Sequence, residues 1–323
     1  MKAAYVEAYG PPEVVKIRDV PMPAPAEGGI VVKSHATTVN SGDARVRALR
    51  DPGGMKLLMR LALGFNRPKQ AVIGFDVAGE VAAVGAGVTD LKVGDRVLAS
   101  NRFKFGCHAE YVQIDADGLA VKIPDNLSYV DAISLPFGGA TSLVFFKEGG
   151  LKSGEKLLIN GASGAVGVMA IQIAKLMGAE VTGVCSAANA GLVRELGADH
   201  VIDYAKTDFA VGSERYDVIM DTHGNAPYAR VKHLLRPGGR FLMVIGNLWQ
   251  MISGGFQSAV ISPRDDKAAV SFENYAYLLN LASKGEIKPV IDQVLPFSDI
   301  VEAHRRVDSG HKVGSVVVTF DQG

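Results

Sequence analysis

The feature that most constrains this chain is a heptapeptide, Gly161-Ala162-Ser163-Gly164-Ala165-Val166-Gly167. It follows a short apolar run, Lys156 to Ile159, that reads as a β-strand, and it opens a helical pattern from Val166 to Met177. Glycine at the first and fourth positions permits a tight turn and a close approach of backbone to a pyrophosphate. The third glycine, Gly167, lets the helix pack against the strand. The helix N-terminus then presents unpaired N–H groups and the positive end of its dipole. Glycines in this spacing also occur in plain turns, so the flanking strand and helix carry the reading.

The pattern continues in the same rhythm. Glu180 to Cys185 reads as a strand and Asn189 to Leu196 as a helix. His200 to Asp203, Tyr216 to Asp221 and Arg240 to Ile245 read as strands, with a helix at Pro227 to Leu235 before the last. Such alternation predicts crossover units around a parallel sheet covered on both faces. The part before Pro124 has a different texture. Lys2 to Val6, Val14 to Asp19, Gly29 to Val39, Gly74 to Val84, Asp95 to Ala99, Ala109 to Ile114 and Leu119 to Ile123 are short strands bounded by Gly and Pro, which predicts a barrel-like domain. The tail from about Ser271 reads helix, strand, helix, strand. Its last strand, Ser315 to Phe320, fits either domain by pattern alone.

The 323 residues suit two domains. Lys plus Arg and Asp plus Glu both number 34, so no overall field recruits nucleic acid or an anionic membrane, although local basic patches stay open. Two cysteines, Cys107 and Cys185, argue against a disulfide scaffold and for a reducing compartment. The first residues show no signal pattern, and no apolar run reaches the length of a membrane span. The stretch Met55 to Phe65 contains Lys56 and Arg60 and reads as an amphipathic helix.

Two further positions bear on ligands. Val184-Cys185-Ser186 ends the second strand of the parallel sheet, where a carboxylate would bind a ribose 2′-hydroxyl. No acid follows before Glu195, so a 2′-phosphate meets no repulsion, and Ser186 and Asn189 are candidate donors to it. This favours NADPH, with a site permissive for either cofactor as the other reading. The seven His residues form no closely spaced ligand group. Cys107 and His108, as strand neighbours, would point to opposite faces. His223, at a strand end, is a candidate cofactor contact or a plain loop residue.

The chain resembles the medium-chain dehydrogenase/reductases, in their zinc-independent quinone oxidoreductase and enoyl reductase-like branch. The resemblance runs almost end to end. It rests on Met1-Lys2-Ala3-Ala4, Thr38-Val39-Asn40-Ser41-Gly42-Asp43, Gly74-Phe75-Asp76-Val77-Ala78-Gly79-Glu80-Val81, Val93-Gly94-Asp95-Arg96-Val97, the glycine turn, and Leu196 through Tyr204. It implies an α/β fold: a Rossmann doubly wound parallel sheet inserted into a GroES-like β-barrel catalytic domain. The implied segments are 1–124 and 264–323 for the catalytic domain and 125–263 for the nucleotide-binding domain. Zinc-dependent relatives carry Cys where this chain has Asn40, and Gly-His-Glu where it has Gly74-Phe75-Asp76, so no metal site is implied.

The resemblance places Asn40, Asp43 and Thr141 near the nicotinamide. It places Tyr204 and the basic loop His311-Lys312 near the adenosine phosphate, and Gly246-Asn247 on the nicotinamide side. Asn40 and Asp43 are also plain capping residues, Thr141 a plain helix-start residue, and Tyr204 a cover for the sheet edge. The lysine that some quinone reductases carry after the second strand is absent. The implied activity is NADPH-dependent reduction of a small apolar quinone or enone by a cytoplasmic homodimer. A cofactor-binding scaffold or sensor with little turnover, or an alcohol dehydrogenase-like activity, is the alternative. Leu58, Leu61, Leu63 and Phe65, with Trp249, Met251 and Phe256, are candidate apolar walls of the active-site mouth or parts of an interface or core.

Overall fold

The structure, a computed structural model, describes residues 1–51, 53–54, 56–245, 260–261 and 270–321. Gly246 and Asn247, and the apolar candidates Trp249, Met251 and Phe256, lie outside these. The chain divides into two compact units. One comprises Met1–Asp51, Lys56–Pro136 and Val270–Gly323, the other Pro52–Met55 and Phe137–Ala269.

The first unit is built on β1 (Lys2–Val6), β2 (Val15–Asp19), β3 (Ile30–Val39), β4 (Asp76–Val84), β5 (Arg96–Ser100), β6 (Tyr111–Ile114) and β7 (Leu119–Lys122). The second contains β8 (Lys156–Asn160), β9 (Glu180–Cys185), β10 (His200–Asp203), β11 (Tyr216–Asp221), β12 (Leu235–Met243) and β13 (Val260–Ile261). The tail adds β14 (Ile291–Pro296) and β15 (Ser315–Thr319).

In the second unit the six strands run in the order β10-β9-β8-β11-β12-β13, and every pairing is parallel. Leu157, Leu158 and Ile159 of β8 are all fully buried. That is why the strand reads as an unbroken apolar run rather than an alternating one. The order reverses at β8, with β9 on one side and β11 on the other. A crevice opens beyond the strand ends at such a switch point, and the glycine turn leaves β8 there.

In the first unit the larger sheet runs β14-β15-β3-β4-β5-β7, with β6 also on β3. The strand that the sequence pattern left unassigned pairs antiparallel with β3, Val316 opposite Val39, so the tail rejoins the first sheet. Val316, Val317 and Val318 are fully buried.

Several local expectations change. The pair Cys107 and His108 lies outside any strand, in the bend before Tyr111, and both side chains are buried. The fourth strand begins at Asp76 rather than Gly74, because Gly74 turns with φ +101° against the His108 ring. The helix expected over Pro227 to Leu235 is one turn, Tyr228–Val231, followed by a 3₁₀ turn, Lys232–Leu234. Three helices, Ser41–Ala48, Tyr129–Ser134 and Pro136–Glu148, carry little periodic signal.

Replacing Val317 with Asp places an unpaired charge in a fully buried strand between two partners. The expected loss is about 3 kcal/mol or more of the first unit's stability. Urea denaturation followed by circular dichroism reads it, and an unchanged midpoint contradicts the assignment of β15 to this sheet.

Candidate functional site

The glycine turn separates glycines the protein needs for itself from one it does not. Gly161 has φ +82°, and a Cβ there would stand 2.5 Å from Thr222 Oγ1. A Cβ on Gly167 would run into the Gly161 carbonyl and the Ala162 backbone. Both are fixed by packing. Gly164 is different. Its backbone is extended (φ −75°, ψ 172°), and an added Cβ would meet only the Gly161 carbonyl oxygen, at an ordinary 3.5 Å. Nothing in the unit requires glycine there, while a close-lying ligand would.

Gly164 is also the N-cap of the helix Ala165–Leu176 and offers no side-chain cap. Gly161, Ser163 and Gly164 are partly exposed beside the buried Ala162, Ala165, Val166 and Gly167. The turn therefore fits a pyrophosphate held by backbone N–H groups at a helix N-terminus.

Beneath it lies a hydrogen-bonded brace. Asn160, at the end of β8, donates through Nδ2 to Asp221 Oδ1 (2.8 Å) and Asn225 Oδ1 (2.7 Å). The Asp221 carboxylate also accepts from the N–H groups of His223, Gly224 and Ala226. Thr222 Oγ1 donates to the Asn160 carbonyl at 2.8 Å. The brace ties β8 to β11 where the crevice opens. Sequence reasoning missed it, although the run from Asp221 to Asn225 has turn chemistry.

The second strand's end is also assembled. Asn189 Nδ2 donates to Ser163 Oγ at 3.0 Å, so its amide is spent on the turn rather than held out to a ligand. Ser186 is partly exposed. Tyr204 N donates to the Cys185 carbonyl, and its ring is 55% exposed. Asp203 lies opposite Cys185 in the β9–β10 register, a carboxylate the sequence search along one strand passed over. Its Oδ1 accepts from Ala205 N. Thr141 sits inside the helix Pro136–Glu148, not at its start, and donates to the Phe137 carbonyl at 2.6 Å. That helix lies against the dinucleotide helix: Gly138 faces the Ala165 carbonyl, and Ser142 Oγ reaches Val166 O at 3.4 Å.

In the first unit, Asn40 and Asp43 close a capping box on the helix Ser41–Ala48. Asn40 Oδ1 accepts from Gly42 N and Asp43 N, and Asp43 Oδ2 accepts from Asn40 N at 2.8 Å. Both residues are buried, and Asn40 Nδ2 and Asp43 Oδ1 have no partner among the described residues. Burial raises the Asp43 carboxyl from 3.8 to about 8, against the opposing pull of the Asn40 and Gly74 N–H groups. Asp76 is likewise raised by burial, to about 6, while Tyr275 Oη donates to its Oδ1 at 2.7 Å. The Phe75 ring lies against Gly42, where a Cβ would stand 3.0 Å from it, and stacks edge-on with Phe105. His311 is exposed, and its carbonyl accepts from Arg306. Lys312 is spent locally: its Nζ donates to the Gly314 carbonyl at 2.6 Å, and burial lowers it to about 8.

Residues 26–125 match the alcohol dehydrogenase GroES-like domain and residues 196–318 match the zinc-binding dehydrogenase family. A chloroplast envelope quinone oxidoreductase homolog of Arabidopsis thaliana is 30% identical over 312 residues, 93% of this chain and 92% of that one. The NADPH-dependent alkenal/one oxidoreductase of the same plant's chloroplast is 32% identical over 330 residues, 98% of this chain and 79% of that protein. The solved quinone oxidoreductase of Coxiella burnetii superposes with a TM-score of 0.87 at 27% identity, covering 99% of each chain. This chain belongs to the medium-chain dehydrogenase/reductase superfamily, in its quinone oxidoreductase and enoyl reductase-like branch. It is an NAD(P)H-dependent oxidoreductase with a GroES-like domain and a parallel Rossmann-type sheet.

Two outcomes follow from this geometry. Gly164→Val should keep the thermal midpoint within about 2 °C while weakening NADPH binding at least about a hundredfold, as the side chain fills the cradle; Gly167→Val should lower the midpoint itself. Differential scanning fluorimetry and isothermal titration separate the two, and unchanged affinity in folded Gly164→Val contradicts the cradle. Second, the folded Asp43 pKa exceeds the unfolded one. The stability it supports is therefore complete below about pH 4 and lost as pH rises through about 8. Asp43→Asn keeps an acceptor for Asn40 N and should flatten that loss. A midpoint difference between the two proteins that stays constant from pH 5 to pH 9 contradicts a buried, raised carboxyl.

Proposed function

We propose that this enzyme reduces a quinone or an α,β-unsaturated carbonyl with NADPH, by direct hydride transfer and without zinc. The observation that carries the reading is the Phe75 ring packed against Gly42 of the Asn40–Asp43 capping box. A hydrocarbon ring stands where a metal-dependent relative needs a donor, and the Asn40 carboxamide oxygen is committed to the helix cap. The nicotinamide supplies the hydride when bound.

The chain's own residues supply binding and polarisation. The turn Gly161–Gly167 holds the pyrophosphate, and Ser186 receives the 2′-phosphate with no carboxylate on its own strand. Tyr204, beside the Cys185 carbonyl, covers the adenosine end. Asn40 Nδ2, a buried donor without a partner among the described residues, polarises the acceptor oxygen as negative charge develops there. Asp43 holds a proton through neutral pH and is the nearest reservoir on the same cap. Thr141 orients the nicotinamide from its helix. The relatives named as quinone and alkenal/one oxidoreductases support this substrate class. A cytoplasmic homodimer belongs to the same reading: the dimer follows from the family resemblance, and two cysteines far apart in the sequence agree with a reducing compartment.

A turnover screen with NADPH over quinones, enals and enones tests the reading. Turnover of a primary alcohol with NAD⁺, with one tightly held zinc per chain by elemental analysis, contradicts it. The cofactor preference has its own test. Ser186→Asp removes a donor and adds repulsion toward a phosphate, which should cost NADPH a few kcal/mol (about 1.5–3 for a hydrogen bond to a charged group) and leave NADH unharmed. The ratio of the NADH dissociation constant to that of NADPH should fall at least about tenfold, and an unchanged ratio removes Ser186 from the phosphate site.

A further inference from the structure

The helix Lys56–Leu63 is amphipathic in the wrong direction for a helix that belongs only to a core. Leu57, Leu58 and Leu61, with Phe65 just beyond the helix, are 65%, 52%, 53% and 55% exposed. Leu57, Leu58 and Leu61, at spacings of one and four residues, share one side of the helix, and Phe65 follows the turn at Gly64. The helix is attached to the unit by other residues. Leu63 packs on the barrel's hydrophobic cluster, and Tyr9 Oη donates to the Gly64 carbonyl at 2.8 Å.

The turn after the helix is closed tightly. Gly64 has φ +123°, with the Arg67 carbonyl occupying the place of a Cβ. Lys69 N donates to Leu63 O at 2.7 Å, Lys69 Nζ to Leu61 O at 2.9 Å, and Arg60 Nη1 to Phe65 O. The segment is thus a braced surface feature that presents an apolar stripe to water.

Its charge is one-sided. From Lys56 to Lys69 there are four cations, Lys56, Arg60, Arg67 and Lys69, and no acid. None of the four makes an ion pair among the described residues, and the bonds of Arg60 and Lys69 go to carbonyls, which leave their charge uncompensated. A chain of zero net charge carries here a local concentration of positive charge around aliphatic side chains.

We propose that Lys56–Lys69 docks the enzyme peripherally on an anionic lipid surface, the leucine stripe and Phe65 entering the headgroup boundary while the cations meet lipid phosphates. The charge is complementary to such a surface, and the arrangement is that of an interfacial helix. A second copy of this chain suits it less. A two-fold contact would set the Lys56–Arg60 face against its own copy, with no acid to answer it. A rigid protein partner would need pockets between anchors, whereas each of these side chains stands more than half free and a fluid apolar phase needs none. The inference is independent of the substrate reading. It assigns to Leu58, Leu61 and Phe65 a partner other than the substrate.

The test is co-sedimentation of the full chain with phosphatidylcholine vesicles, with and without phosphatidylglycerol. The expected result is binding only to the anionic vesicles, weakened by salt. Leu58→Ser/Leu61→Ser and, separately, Lys56→Glu/Arg67→Glu should each reduce the partition coefficient at least about tenfold while cofactor affinity holds. No binding by the wild type overturns the proposal. So does a leucine variant that binds vesicles like the wild type, whether it alters KM for a quinone, which would return the stripe to the substrate site, or shifts the oligomer by light scattering, which would make it an interface between copies. A charge variant that binds undiminished overturns it equally.

Discussion

The close contact between Gly167 and the carbonyl end of β8 sets the geometry on which the rest of the nucleotide-binding unit depends. With no side chain at Gly167, the helix Ala165–Leu176 begins directly over Gly161 and Ala162. That closeness leaves Gly164 facing outward with room beside it and aims the first helical N–H groups at the same space. The Asn160–Asp221 brace then holds β11 in register with β8, so the floor of the crevice cannot spread when charge arrives above it. Glycines fixed by packing are thus distinguishable by what surrounds them from Gly164, where a side chain has room, though they look alike in the sequence.

The barrel unit solves a different problem. It buries Asn40, Asp43, Asp76, His108 and Tyr275 without a cation close enough to neutralise the carboxylates fully. Water would stabilise their charged forms, and its exclusion raises both acids instead. Asp43 is therefore a proton-carrying group fixed by a helix cap. The cap gives it geometry, and burial gives it a pKa near physiological pH.

Much of the parallel sheet was legible because its strands carry apolar runs separated by turn residues, as in Leu157 to Ile159 and Val218 to Met220. The glycine turn was legible because its chemistry is local. The helix Pro136–Glu148 was not, because it is apolar around its whole circumference and shows no period, so Thr141 looked like a helix start. The partner of β15 was not legible from pattern either, since pairing with Val39 across most of the chain leaves no local trace; only the resemblance to known proteins pointed there. Asp203 escaped a search along one strand because register, not sequence, sets it beside Cys185. The local charge of Lys56–Lys69 vanished in a chain-wide sum.

The pairing of β15 with β3 and β14 has a consequence for how the chain comes into being. The nucleotide-binding unit draws its strands β8 to β13 from one unbroken stretch, so its contacts are available as soon as that stretch has left the ribosome. The sheet of the other unit lacks an interior strand until Thr319 has been synthesised, and β3 must wait through nearly three hundred residues of translation for that neighbour. During that interval the unpaired edge of β3 is a surface for wrong partners. Translation order thus makes the inserted unit the early folder and the enclosing unit the late one, the reverse of the order in which their first strands appear.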